Sequence, residues 1–386
     1  LSDPLTVAAT AKHFAGYGFA EAGREYNKAD IGNSTLYNMV LPPFKAAAEA
    51  GVRTMMTGFN TLDEIPVTGN KFILRDILKG KWAFDGFVIS DYASIEEMVV
   101  HGFAKDEKMA TKIAVEAGVD MDMEAYSYVN EIMDLVKEGS LHESLVDDAV
   151  RRILRVKFEL GLMDDPYKYL DEQREKEVVG NPAHHEAVLD MAKKSIVLLK
   201  NENNLLPLNK NGQKIALIGD LADDKNSPLG SWRIASDDNT AVSVLEGMQK
   251  YTGNKLTFVQ GAPLVVSEES FLTELRFNTT DKSGFPAAVK AAKNADVVVM
   301  VLGEHGFQSG EGRSRTNLDL PGVQQELLEE VYSANKNVVL VLNNGRPLTI
   351  DWAAKNIPTI VEAWQLGTQT GNAVAQVLYG DYNPSG

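Results

Sequence analysis

Short apolar runs alternate with helical patterns along most of this chain, and that alternation constrains the fold more than any other feature. In the first region the strand-like runs are residues 7–14, 52–59, 86–91 and 118–123, with helical patterns at 34–50, 70–80 and 94–117 between them. Strands that alternate with helices in this way form parallel sheets with crossover helices. The sequence therefore predicts an α/β fold.

Polar or ionisable residues end each strand-like run of the first region, namely Lys12 and His13, Thr57 and Asn60, Asp91, and Asp120 and Asp122. In a (β/α)8 barrel the chemistry sits at the C-terminal ends of the strands. Only about four βα units precede the helical stripe at 142–160, which ends at Gly161. This region is therefore predicted to be the C-terminal half of such a barrel.

A second alternating region follows a polar, charged segment marked by Pro166 and Pro182. Its predicted helices are 184–196, 240–250, 286–294, 322–335 and 370–379, and its predicted strands are 214–219, 256–259, 297–303, 337–343 and 359–363. This pattern predicts an α/β sandwich, that is, an open and mostly parallel sheet with helices on both faces. The predicted bounds are 1–162 for the partial barrel, 163–182 for a linker and 183–386 for the sandwich.

Composition excludes several classes of protein. With 38 basic and 54 acidic residues the net charge is −16, which disfavours nucleic acid and anionic membranes and suits neutral, polar substrates. The absence of cysteine excludes disulfides and thiolate ligands. No apolar run is long enough to span a bilayer, and neither a phosphate-binding loop nor the EF-hand spacing occurs. We therefore expect no membrane span, no metal and no cofactor, and a homo-oligomer is left open.

Asp91 is the first candidate for chemistry, because it closes the strand-like run 86–90 and precedes a helix. An aspartate there would ordinarily cap the helix N-terminus. Ser94 and Glu97, however, have the spacing of a capping box and can serve instead. We therefore expect Asp91 to remain available at the strand ends for a functional role.

A second candidate segment is the long loop 303–322, which is rich in glycine and polar residues. Loops of this length between a strand and a helix are usually functional or disordered. From the residues alone Glu311 reads as a solvated surface charge, and Glu304, directly at the strand end, is the stronger candidate. By default Lys12 is expected to form a structural salt bridge, and His13 to be a histidine whose hydrogen bonds are satisfied within the fold. Their side chains should point to opposite faces if the strand is regular.

Several segments read together resemble glycoside hydrolase family 3 β-glucosidases, and bacterial periplasmic members most. These are T-A-K-H-F at 10–14, G-F-V-I-S-D-Y at 86–92, S-I-V-L-L-K-N-E-N-N-L-L-P-L at 195–208, S-G-E-G-R-S-R at 309–315 and G-D-Y-N-P-S-G at 380–386. The resemblance covers essentially the whole chain in order. It implies a retaining hydrolase that removes terminal β-D-glucosyl residues from β-glucosides and oligosaccharides, in the periplasm or outside the cell.

The resemblance also assigns roles by position. Asp91 matches the nucleophile and Glu311 the acid/base on the second domain. The matched substrate-binding positions are Lys12 and His13, Met56 and Phe59, Tyr92, and Ser231 and Trp232. Retention requires two carboxyl groups about 5 to 5.5 Å apart. The acid should also lie in a drier setting than the nucleophile, or nearer to negative charge, and the nucleophile should have hydrogen-bond donors such as Lys12 nearby.

The resemblance further implies that the barrel has another half upstream and that a fibronectin-like domain follows. On that basis the chain alone is expected to be poorly active or inactive. Relatives place an arginine shortly after the Lys-His pair, where this chain reads G-R-E-Y at 23–26, so the residue that contacts the sugar there is left open.

Four alternatives are weighed against this hypothesis. The chain could belong to a β-xylosidase or another exo-β-glycosidase of the same family, because the residues that read the hydroxymethyl group lie partly in the other half of the barrel. An N-acetylglucosaminidase is disfavoured, since Ala15 and Tyr17 stand where Pro and His are expected. A non-catalytic sugar-binding or scaffold module is disfavoured because Asp91 and Glu311 are both present. A nucleotide-dependent enzyme is disfavoured because phosphate-binding loops are missing.

Overall fold

The computed structural model describes residues 5–386, so residues 1–4 of the predicted partial barrel lie outside the described residues. The chain divides into two compact units, Leu1–Glu172 and Gln173–Gly386. They are called the first unit and the second unit below, and each is described by itself.

Three parallel strands form the centre of the first unit. Strand β1 (Thr10–Phe14) pairs with β3 (Thr54–Thr57), which pairs with β6 (Phe87–Ile89). A parallel bridge from Ile89 to Met121 adds a fourth chain segment beside β6. A small sheet of β2 (Lys28–Ala29), β4 (Thr61–Leu62) and β5 (Ile65–Pro66), which was not predicted, lies in the same unit.

The helices of the first unit follow the predicted pattern with local differences. The first predicted helix runs through α1 (Asn33–Thr35), a π-helical segment (Leu36–Val40) and α2 (Leu41–Glu49), and the second is a π-type helix at Phe72–Lys81. The third, predicted over 94–117, is two helices, α3 (Glu97–Val100) and α4 (Glu107–Ala117). It breaks because Gly102 has φ of 72° and the Asp106 carboxylate caps α4 through the Met109 amide.

Two further helices complete the first unit. Helix α5 (Ser127–Lys137) was not predicted, and α6 (Glu143–Glu159) was. The core packs the helices against the strands and contains the buried side chains of Phe14, Met55, Leu74, Val88, Ile95 and Met98.

The second unit contains a six-stranded sheet in the order β7, β12, β11, β10, β8, β9. The strands are β7 (Val197–Asn201), β8 (Asn211–Ile218), β9 (Gly253–Val259), β10 (Val297–Gly303), β11 (Val338–Asn343) and β12 (Thr359–Glu362). All pairs are parallel except β7 with β12. The predicted α/β class with mostly parallel sheets is therefore confirmed, while the antiparallel edge strand β7 was not predicted.

Helices accompany this sheet in the second half of the chain. They are α7 (Glu172–Val178), α8 (Pro182–Ser195), α9 (Val244–Gln249), α10 (Phe285–Lys293), α11 (Gln324–Ala334), α12 (Asp351–Asn356) and α13 (Thr370–Leu378). Two separate apolar clusters use alternate residues of the central strands, for example Val299 in one and Val298 in the other. Because strand residues alternate between faces, the sheet is covered on both sides.

Part of the segment predicted as a linker is helical. Helix α7 begins at Glu172, where the two compact units divide, and every residue of 172–178 is at least partly exposed. Helix α8 then begins at Pro182, with the Asn181 side chain accepting from the Ala183 amide. The polar composition of this segment thus reflects a solvated helix as well as a connection.

A buried ion pair joins the π-type helix of the first unit to Asp120, one of the acidic positions singled out in the sequence. Lys79 Nζ lies 2.6 Å from Asp120 Oδ1, and Asp120 Oδ2 accepts from the Val88 amide at 2.8 Å. Burial lowers the pKa of Lys79 to about 8 and raises the pKa of Asp120. The attraction between the two charges opposes both shifts but does not outweigh burial. Asp120 is therefore a structural residue.

We expect Asp120→Ala to lower the free energy of unfolding by about 3 to 5 kcal/mol, because it leaves the Lys79 amine buried without its anion. Urea unfolding of this chain measures the change. The matched control is Glu138→Ala, which breaks the exposed Lys108–Glu138 pair of 2.7 Å and should cost less than about 1 kcal/mol. Equal losses in the two variants would contradict the structural role of Asp120.

Candidate active site

Asp91 follows β6 and is buried, with 7% of its surface exposed. Its amide donates to Thr57 Oγ1 at the end of β3, at 3.3 Å. Its carboxylate Oδ1 accepts from the Tyr92 amide at 2.8 Å. Backbone and side chain are therefore both fixed, and the carboxylate is held at the carboxyl ends of the parallel strands.

A chain of buried hydroxyl groups supports this position. Thr57 Oγ1 lies 2.9 Å from Thr68 Oγ1, which lies 2.9 Å from Ser94 Oγ, and each of the three residues is at most 3% exposed. The predicted capping box is therefore wrong: helix α3 begins after Glu96 without a side-chain cap. Ser94 is committed to Thr68 instead, because a buried hydroxyl needs a hydrogen-bonding partner.

His13 is brought directly to Asp91. Its Nε2 lies 3.3 Å from Asp91 Oδ2, while its ring meets the ring of Tyr17 edge-on at 5.2 Å. The group found beside the carboxylate is thus His13, although Lys12 was the donor anticipated for the nucleophile. Lys12 itself is exposed on β1.

Aromatic side chains continue from His13. Phe59 is 7% exposed, with the ring of Tyr17 at 6.0 Å and the ring of Tyr26 at 4.4 Å between centroids. Tyr26 lies in the G-R-E-Y segment whose role the sequence left open, so the structure adds it to the site. Met56 is half-buried on β3, and Tyr92, next to Asp91, is 57% exposed.

In the second unit, Glu311 lies on the long loop after β10. Gly310 has φ of 124° and packs so closely on Ser231 that an added Cβ would lie 2.5 Å from Ser231 Oγ. A side chain at that position would therefore push the two segments apart. The predicted residues Ser231 and Glu311 are thus on adjoining segments of this unit.

Trp232 extends this part of the second unit as an exposed aromatic surface. It is 63% exposed and its ring lies 5.6 Å from that of Phe271, over which the Arg313 guanidinium lies at 5.9 Å. Arg313 also donates to the carbonyl of Phe271 and, at 3.4 Å, to that of Thr273. Phe271 and Arg313 were not predicted as site residues, because nothing in their spacing links them to Glu311.

Glu311 is half-buried, whereas Asp91 is buried, so the drier setting expected for the acid is not observed. Residues 316–319 of the same loop are exposed. Glu304, the stronger candidate from the residues alone, is 0% exposed. Its Oε1 lies 2.6 Å from Arg315 Nη1 and 3.2 Å from Arg346 Nε. Glu304 is therefore a buried ion-pair partner of these two arginines and is not accessible as a general acid.

A second buried carboxyl group lies at the same end of the sheet. Glu362, the last residue of β12, is 5% exposed and accepts from the Trp364 amide at 3.0 Å. Burial raises the pKa of Glu362 to about 7, and the Glu304 carboxylate adds to the rise, while the Trp364 amide opposes it. This carboxyl is therefore expected to ionise near neutral pH, well above the ordinary value of 4.5.

Among residues 5–386 no cluster of histidine and acidic side chains has the arrangement of a metal site. None of the helices there combines the length and apolarity needed to cross a bilayer.

Each of the two units matches a domain of a known protein family. Residues 3–156 match the family described as glycosyl hydrolase family 3 N terminal domain. Residues 196–386 match the glycosyl hydrolase family 3 C-terminal domain. The two matches are in the order in which the sequence resemblance placed them.

Known proteins match the whole chain. A periplasmic β-glucosidase of Salmonella typhimurium is 38% identical over 400 residues, covering 100% of this chain and 52% of that protein. A β-xylosidase of Formosa agariphila is also 38% identical over 400 residues, covering 100% of this chain and 53% of that protein. A mutant β-glucosidase from Listeria innocua, solved with laminaribiose, matches with a TM-score of 0.89 and 36% identity, covering 100% of this chain and 51% of that one. The chain thus spans about half the length of these relatives.

The raised pKa of Glu362 predicts a pH dependence of stability. The folded state keeps this proton up to about pH 7, whereas the unfolded chain loses it near the ordinary value of 4.5. The stabilisation is therefore complete below pH 4.5 and is lost as the pH rises through 7, in total about 3 kcal/mol. Glu362→Gln stays neutral and should remove that decline.

Urea unfolding of this chain at pH 5 and pH 8 measures the effect as a difference between variant and parent. The matched control is Glu330→Gln on the exposed surface of α11, which should follow the parent at both pH values. A Glu362→Gln variant with the same decline as the parent would show that the carboxyl ionises normally in the folded state.

Proposed function

Because the chain belongs to glycosyl hydrolase family 3, we propose that the protein containing it is a retaining β-glucosidase. It removes terminal β-D-glucosyl residues from β-glucosides and oligosaccharides. The observation that carries this proposal is the setting of Asp91, a buried carboxylate held by the Tyr92 amide, by Thr57 and by His13 at the strand ends. Strand ends are where barrels of this class place their chemistry.

In the proposed reaction the Asp91 carboxylate attacks the anomeric carbon while the bond to the departing oxygen breaks. Glu311 transfers its proton to that oxygen, leaving a covalent glycosyl-enzyme. Glu311 then takes a proton from water, whose oxygen attacks the anomeric carbon and releases Asp91. The hydrogen bond from the Tyr92 amide and the contact with His13 orient the nucleophile for the first step.

Neutral sugar substrates are supported by the residues around both candidate carboxylates. Tyr92 and Trp232 present exposed rings, on which the apolar faces of sugars can stack. Lys12, His13, Met56, Phe59 and Ser231 complete the proposed binding set. The related Listeria innocua enzyme is described in complexes with laminaribiose and with glucose, which supports β-linked glucosides as the substrate class.

A β-xylosidase is the second candidate, supported by the 38% identity to the Formosa agariphila β-xylosidase over the whole chain. Xylose lacks only the hydroxymethyl group of glucose. The two candidates are separated by measuring kcat/KM for 4-nitrophenyl β-glucoside and for 4-nitrophenyl β-xyloside with the protein expressed from its complete reading frame. A glucosidase favours the first substrate and a xylosidase the second.

The remaining parts of the proposal concern the whole protein. A periplasmic or secreted location is supported by the periplasmic relative from Salmonella typhimurium. The partial-barrel domain at 1–162, the linker at 163–182 and the sandwich domain at 183–386 are proposed as its building blocks. Since the chain spans about half the length of its relatives, we propose that alone it is poorly active or inactive on aryl β-glucosides.

The two carboxylates can be tested separately in the protein of complete reading frame. We expect Asp91→Ala to lower kcat by about 10⁴-fold or more with any β-glucoside, because no glycosyl-enzyme forms. We expect Glu311→Gln to lower kcat/KM by about 10²-fold or more with cellobiose, whose departing oxygen needs a proton. The same variant should react much more nearly like the parent with 2,4-dinitrophenyl β-glucoside, because that leaving group is a weak base.

Steady-state rates and circular dichroism of the variants provide these measurements. Asp134→Asn on the exposed face of α5 is the control and should leave both rates unchanged. Rapid turnover by a folded Asp91→Ala variant would eliminate the proposed mechanism.

A further inference from the structure

Glu304 is a fully buried carboxylate to which the proposed reaction assigns no role. It follows the last residue of β10, and its amide donates to the Asn343 carbonyl at 2.9 Å, which fixes its backbone to the sheet. Its side chain is 0% exposed and meets two guanidinium groups, those of Arg315 and Arg346. A buried carboxylate requires such partners, because desolvation strongly disfavours an unpaired charge.

Each of the two arginines also holds the loop that carries Glu311. Arg346 Nη2 donates to the Gln308 carbonyl, three residues before Glu311. Arg315 is four residues after Glu311, and its Nη2 donates to the Asp319 carbonyl at 2.9 Å. The two sides of the loop are therefore fixed to one buried carboxylate through two planar, multidentate cations.

The loop needs such an external restraint because of its own composition. Gly310 and Gly312 flank Glu311 directly, with φ of 124° and 68°. Glycine adopts these conformations easily, but it also leaves the backbone free to adopt many others. A carboxyl group on such a segment keeps a defined position only if contacts on both sides restrict it.

We propose that Glu304 is a positioning residue for Glu311, acting through Arg315 and Arg346 on the loop segment 308–315. This inference rests on the proposed function, in which Glu311 protonates the departing oxygen. Glu304 itself touches neither substrate nor departing group. Its removal should therefore impair the proton transfer selectively, rather than every step of the reaction.

The test uses Glu304→Gln in the protein of complete reading frame. The amide keeps the shape of the side chain and loses the charge that holds both guanidinium groups. We expect kcat/KM for cellobiose to fall about 100-fold, because a small displacement of the acid is enough for such a loss. With 2,4-dinitrophenyl β-glucoside, whose departure needs no proton, we expect a fall of less than about threefold.

A purely structural role would not produce this difference, since partial unfolding lowers the rates with both substrates by the same factor. Glu330→Gln on α11 is the matched control and should leave both rates unchanged. Equal losses with both substrates, or no loss with cellobiose, would overturn the inference. If Glu304→Gln does not fold, Arg346→Lys takes its place, because lysine keeps the charge but cannot contact Glu304 and Gln308 with a planar fork.

The failure of this inference and the failure of the proposed function are distinguishable. If Asp91→Ala and Glu311→Gln leave turnover intact, the proposed function fails and the inference falls with it. If both variants behave as expected but Glu304→Gln treats the two substrates alike, only the positioning role is refuted. Hydrogen exchange of segment 308–315 adds a direct readout, and unchanged exchange in Glu304→Gln would also refute the role.

Discussion

Parallel strand pairing is the constraint on which both halves of this structure depend. Because parallel strands end at the same edge of their sheet, residues far apart in the sequence become neighbours there. In the first unit this brings Thr57, the last residue of β3, to the amide of Asp91, after β6, and His13 of β1 to the Asp91 carboxylate. In the second unit it brings Glu304, Asn343 and Glu362 to the ends of β10, β11 and β12.

The two proposed catalytic carboxylates are held in different ways. Asp91 is two residues beyond a strand, and its own amide and the next amide fix it. Glu311 is eight residues beyond the end of β10, so its position depends on contacts that other residues of the loop make. Groups on regular elements are held more accurately than groups on loops, unless a second set of contacts supports the loop. The arginine pair around Glu304 supplies contacts of that kind.

Much of the fold could be predicted from the sequence because buried strands and amphipathic helices leave a regular pattern. Strand β10 was predicted at its observed bounds, 297–303, since seven consecutive buried residues make its apolar run unmistakable. Strand β7 was missed because it is a half-exposed edge strand that continues directly from α8. Its pairing with β12 depends on a segment about 160 residues away, which no local pattern reveals.

The site was less predictable than the fold, for the same physical reason. The capping-box spacing of Ser94 and Glu97 is a local signal, but the hydroxyl of Ser94 is taken by Thr68 through tertiary contact. Glu304 looked like the better acid because it is nearest to the strand end, yet that proximity is what buries it against Arg315 and Arg346. The residues alone pointed to Asp91 and Glu304, and only the family resemblance pointed to Glu311. The burial of each side chain depends on partners that are distant in the sequence.

Stability alone does not explain why a carboxylate is buried here with two arginines. Apolar residues of similar volume are often as stabilising as a buried ion pair, since they avoid the cost of desolvating charge. An apolar cluster, however, could not hold the carbonyl groups of Gln308 and Asp319 in fixed directions, as the two guanidinium groups do. Such directional hydrogen bonds restrict a backbone that Gly310 and Gly312 would otherwise leave free to adopt many conformations. The ionic arrangement is therefore better explained by the position it gives to the loop than by the stability it adds.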